Sequence, residues 1–141
     1  MKLALNQAQK NLGNTRENPS VGCVIVKNGC IITAGCTSIN GRPHAEQNAI
    51  TYALNDVKNS DLYVTLEPCS HYGKSPPCVK SIIKNKIKRV FFSLKDPDSR
   101  SFNKSTKVLK KNKIDYLFNP TIKQIYPKGH NRKIIQFHNF I

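Results

Sequence analysis

Asn28-Gly29 lies between two apolar runs, Val21–Val26 and Cys30–Ser38, and no other feature narrows the fold so sharply. Asn-Gly tolerates positive φ at both central positions of a two-residue turn, the turn whose twist matches paired strands. The chain is therefore expected to enter its sheet as an antiparallel hairpin. Ahead of it, Leu3, Ala4, Ala8 and Leu12 recur at helical spacing over residues 1–12, and Gly13-Asn14 supplies a stop. Beyond it the pattern alternates. A helix is expected from Pro43 to about Leu54, a strand over Asp61–Glu67, a helix from Cys78 to about Asn85 and a strand over Arg89–Leu94. A Lys-rich helix near 104–112 and a strand near Ile114–Phe118 follow. A hairpin leading into strand–helix alternation predicts an α/β fold, a three-layer α/β/α sandwich around a mixed five-stranded sheet. With no repeat or linker, residues 1–141 read as one domain. The tail, 119–141, carries little pattern beyond a short helical signal at Lys123–Tyr126.

Charge is the next constraint. The formal net charge is +15, with 18 Lys but only five Arg among the 23 basic residues, and Asn and Ile are also abundant. That bias is what an AT-rich genome imposes on any chain, so the charge is not read as a nucleic-acid interface. What remains is a field that attracts anionic, including phosphorylated, substrates. No apolar run approaches a membrane span, and the start lacks a secretory signal. Five cysteines, an odd number, suit thiol or metal chemistry in the cytoplasm better than a disulfide framework.

His44-Ala45-Glu46 and, further on, Pro68-Cys69 through Pro77-Cys78 supply one imidazole, one carboxylate and two thiols. Nitrogen and sulfur donors suit Zn²⁺, and a catalytic zinc keeps one position open for water. His-x-Glu followed by Pro-Cys…Cys is the pattern of zinc-dependent base deaminases, in which the Glu moves protons and is not a ligand. Residues two apart share no face of a regular helix, so His44 and Glu46 can converge only at a helix start. Pro43 is expected at the first helical position there. A closed structural site would need a fourth donor, for which Cys23, Cys30, Cys36 and His71 are candidates.

The chain resembles the deaminase domain of the bacterial bifunctional riboflavin-biosynthesis family, a branch of the cytidine-deaminase-like superfamily. The resemblance starts at Lys2, runs through Asn18-Pro19-Ser20-Val21-Gly22-Cys23-Val24-Ile25-Val26 and His44-Ala45-Glu46, and is most specific over Thr65–Cys78. It fades after Asp96-Pro97 and Leu109-Lys110. It implies zinc ligands at His44, Cys69 and Cys78, a proton shuttle at Glu46, and substrate contacts at Asn18, His71 and Lys74. The implied reaction is hydrolytic deamination of 2,5-diamino-6-(5-phosphoribosylamino)pyrimidin-4-one, with a separate reductase in the same pathway and a homo-oligomer as expected partners. Two departures stand out. Thr37 replaces a usual His, and Asp98–Ser105 replaces a glycine-rich stretch, which leaves Asp96, Asp98 and Lys104 as provisional contacts.

Overall fold

The hairpin forms as its turn dictates. Asn28 and Gly29 take φ of 52° and 77°, and β1 (Gly22–Lys27) pairs antiparallel with β2 (Cys30–Cys36). The computed structural model describes residues 1–120, together with the backbone of two short strands at 124–125 and 136–137. Along the other edge of β1, β3 (Asp61–Leu66) pairs antiparallel, and β4 (Arg89–Leu94) and β5 (Asp115–Phe118) continue in parallel. The order β2-β1-β3-β4-β5 is the expected mixed five-stranded sheet. Among the described residues, four α-helices accompany it: α1 (Lys2–Gln9), α2 (Ala45–Thr51), α3 (Cys78–Lys84) and α4 (Lys104–Lys111).

Pleating sorts the strand residues onto two faces. Cys23, Ile25, Leu62, Val64, Leu66, Val90, Phe92 and Leu94 share one face and are buried, joined in the core by Ala49, Val79, Ile82 and Leu109 from α2, α3 and α4. Burying each such aliphatic side chain is worth about 1.5–3 kcal/mol, which makes this layer the main source of stability. The opposite face is covered by α1 over β1 and its neighbours, while Tyr63 and Phe91 stack on it with ring centroids 4.6 Å apart.

Two glycines set how closely the helices lie. A Cβ at Gly22 would sit 1.8 Å from the Ala4 carbonyl oxygen, and one at Gly35 would sit 2.6 Å from both the Ala45 oxygen and the Ala49 nitrogen. The hairpin thus presents bare backbone to α1 on one face and to α2 on the other. This explains a departure in α1. The helix ends at Gln9, and Ala4 and Ala8 face the sheet while Leu3 and Leu12 are solvent-exposed, because the contact admits only a methyl group.

Other boundaries moved for comparable reasons. Pro43 is not the first helical residue. It follows a cis Arg42–Pro43 peptide and precedes the N-cap, His44, whose φ of −70° and ψ of 161° are extended. The same helix stops at Thr51 instead of Leu54, which is 95% exposed and offers no burial to reward another turn. In place of the helical signal at Lys123–Tyr126, Gln124–Ile125 forms a strand paired with Gln136–Phe137, and Lys123 and Tyr126 lie outside the described residues. Among the described residues, no helix is long and apolar enough to cross a membrane.

Gly35→Ala is expected to destabilise the fold by at least about 2 kcal/mol in denaturant unfolding, since backbone atoms cannot yield as side chains do. A change below about 0.5 kcal/mol would show that α2 does not rest on the hairpin as described.

Candidate metal centre

Two helix starts converge beyond the carboxyl end of β3. His44 caps α2 and Glu46 lies in its first turn. Cys69 follows Glu67-Pro68 at the end of β3, and Cys78 opens α3. His44 Nδ1 lies 3.7 Å from Cys69 Sγ and 3.4 Å from Cys78 Sγ, and the three donor atoms fall within 4.8 Å of one another. Nitrogen and sulfur held by one tetrahedral zinc, at about 2.1 and 2.3 Å, are about 3.6 Å apart. The donor set and its spacing therefore fit zinc.

Proton positions follow from the same contacts. The Cys78 amide donates to Cys69 Sγ at 3.2 Å, and the Cys69 carbonyl accepts the Val79 amide at 3.2 Å. Hydrogen bonding from the Cys78 thiol, reinforced by His44 and by that amide, pulls the Cys69 thiol down to about 4 against the cost of burial. Cys78 is pushed up, by its bond to the Cys69 thiolate, by burial and by the nearby Glu46 carboxylate. The pair thus shares one proton. His44 is raised, chiefly by its bond to Cys69. Glu46, 3% exposed, is raised by burial, with His44 pulling the other way.

Among the described residues no fourth donor joins the group. Cys23 is buried in the core, Cys30 is exposed at the hairpin, and Cys36 sits beside Asn11. His71, the nearest rival in sequence, directs Nδ1 to Ser101 Oγ at 2.7 Å. Three possible ligands beside a buried carboxylate match the donor count of a catalytic zinc site, in which the fourth position is kept for solvent.

A cavity of about 350 Å³ opens over these groups, lined by Asn18, Thr37, Arg42, His44, Glu46, Cys69, His71, Asp96 and neighbouring residues. Asn18 is held by its Nδ2, which donates to the Gly41 oxygen at 3.2 Å. Thr37 is a tie. Its hydroxyl accepts the Val21 amide at 2.9 Å and donates to the Pro19 carbonyl at 3.1 Å, fastening the Asn18-bearing loop to β2. Lys74 is exposed and forms no part of the wall, and Lys104 lies at the start of α4, likewise outside it.

The glycine-poor segment reaches the cavity through Glu67, 2% exposed, whose carboxylate accepts the Asp96 amide at 3.2 Å and the Ser105 hydroxyl. This places Asp96 and Asp98 on the wall, with Asp96 raised by burial. Arg42, Glu67 and Ser101 were not singled out by sequence. Only Arg42 and Glu67 carried a signal, their adjacency to the two motifs.

Residues 1–94 match the cytidine and deoxycytidylate deaminase zinc-binding region, and the chain belongs to that family. Within it, the chain is similar to the riboflavin biosynthesis protein RibD of Aquifex aeolicus, with 46% identity over 110 residues, 78% of this chain and 31% of that one. Among solved structures it is similar to Acinetobacter baumannii RibD, at TM-score 0.80 and 37% identity, covering 84% of this chain and 33% of that one. It is also similar to the Thermotoga maritima diaminohydroxyphosphoribosylaminopyrimidine deaminase/5-amino-6-(5-phosphoribosylamino)uracil reductase, at TM-score 0.79 and 41% identity, covering 85% and 35%. The chain spans about a third of the length of these relatives.

Because Cys78 is raised, it holds its proton at pH 7 in the metal-free chain, and zinc must displace that proton. Apparent zinc affinity is therefore expected to rise with pH by about tenfold per unit for each proton released. Weak-buffer titration should show Cys78→Ser releasing about one proton fewer than the wild type. Equal release from both would place the proton elsewhere.

Proposed function

We propose that the chain hydrolyses the 2-amino group of 2,5-diamino-6-(5-phosphoribosylamino)pyrimidin-4-one, releasing ammonia and 5-amino-6-(5-phosphoribosylamino)uracil. The observation that carries the reaction type is the buried Glu46 beside the His44–Cys69–Cys78 donor set at the floor of an open cavity. The substrate is supported by the similarity to the Aquifex, Acinetobacter and Thermotoga proteins.

His44, Cys69 and Cys78 would hold the zinc, which when bound acidifies water and supplies the nucleophile. Glu46 takes the proton from the attacking water. It then returns protons to the ring nitrogen and to the departing amine, so that one water is consumed and one ammonia leaves. A carboxylate raised by burial suits both halves of that task, because its affinity for protons lies closer to neutral pH. Asn18 and His71, fixed on the wall by Gly41 and Ser101, orient the pyrimidine by hydrogen bonding. Lys74, exposed on the loop between the cysteines, adds positive field where a phosphorylated substrate approaches. A reductase such as the one in the bifunctional Thermotoga protein's name would consume the product.

Ammonia release from the diaminopyrimidine phosphate by the zinc-loaded protein is the expected outcome. Glu46→Gln should lower it by at least about 100-fold at unchanged zinc content. Faster turnover of cytidine, deoxycytidylate, guanine or transfer RNA would overturn the substrate, and a fully active Glu46→Gln would overturn the assignment of Glu46.

A further inference from the structure

Arg42 is a cation on the cavity wall for which no carboxylate partner is found among the described residues. The wall's other arginine, Arg100, is paired with Asp98 at 2.6 Å. Arg42 is half-buried. Its Nη1 donates to Ser75 Oγ at 2.5 Å and lies 3.5 Å from His44 Nε2, while Nη2 lies against Gly73, 3.6 Å from where a Cβ would stand. One edge of the guanidinium is thereby fixed to the loop joining the two metal-binding cysteines. Nε and Nη2 have no hydrogen-bond acceptor among the described residues.

A guanidinium that reaches the wall with two N–H groups uncommitted is placed to donate to an anionic ligand entering the cavity. The fork of N–H groups matches a phosphate monoester, which it binds through two parallel charge-assisted bonds. The basic residue that the loop itself offers, Lys74, lies off the wall, whereas Arg42 reaches the wall and is tethered to that loop through Ser75. We propose that Arg42 is the anion-binding residue of the cavity and receives the phosphate of a phosphoribosyl substrate, with Ser75 holding it in place. For the identity of that substrate, the inference rests on the deaminase reading above. The anion site itself does not.

The test uses zinc-loaded protein and ribose 5-phosphate as the probe, with ribose as control, measured by titration calorimetry. Wild type is expected to bind ribose 5-phosphate and not ribose, Arg42→Met to bind it about 10- to 100-fold more weakly, and Arg42→Lys to recover part of the loss. In steady-state kinetics, preference for the phosphorylated pyrimidine over its dephosphorylated form should shrink by a similar factor, mainly through KM. No binding by the wild type, or equal binding by Arg42→Met at normal zinc content, would overturn the proposal. Should Arg42→Met fail to hold zinc, Ser75→Ala decides: weakening by threefold or more upholds the tethered cation, and unaltered binding overturns it. Calorimetry separates the two readings, since a protein that binds ribose 5-phosphate through Arg42 yet releases no ammonia fails only as the proposed deaminase.

Discussion

The backbone amide of Cys78, directed at the sulfur of Cys69 from 3.2 Å, joins the two ends of the loop that supplies the thiols. It does so at the first residue of α3, where an amide has no partner within the helix. The amide, the Cys78 thiol and His44 together stabilise a thiolate at Cys69. Much of the cost of assembling a metal site is therefore met by the fold before any metal arrives. His44, at the N-cap position of α2, is placed beside the two cysteines by the packing of that helix on the bare hairpin backbone at Gly35.

Around this centre, Glu67 and Thr37 tie neighbouring segments to the cavity. Glu67 takes up amide and hydroxyl donors from the 96–105 segment and so carries Asp96 and Ser101 to the cavity, where Ser101 meets His71. Thr37 binds the loop bearing Asn18 to β2. Glu46 is held differently, with the Cys78 thiol and its own backbone amide as hydrogen-bonding neighbours. Its proton affinity is set by burial, with His44 opposing, and a carboxylate held that way is ready to exchange protons.

The elements legible in sequence are those governed by neighbours in the chain. Asn28-Gly29 specified its own turn, and Arg89–Leu94 is a strand of the expected bounds because its β-branched and aromatic residues admit little else. The metal group was legible too, since its donors are rare types in a fixed order. What escaped depends on partners distant in sequence. Leu3 shares helical spacing with Ala4 and Ala8, but at Gly22 the sheet approaches α1 too closely for a leucine, and Leu54, expected near the end of α2, lies past it and exposed. Arg42 was hidden for a different reason. In a chain so rich in lysine, charge alone does not single out a cation, and only the fold shows which ones line the cavity.

The central claim is a three-ligand metal site that leaves one position to water beside a buried carboxylate. Zinc K-edge X-ray absorption of the loaded protein addresses it directly. The account predicts two sulfur scatterers near 2.3 Å and two lighter ones, an imidazole nitrogen and a solvent oxygen, near 2.0–2.1 Å, and an unchanged first shell in Glu46→Gln. A third sulfur, a second imidazole, or loss of an oxygen scatterer on replacing Glu46 would contradict it.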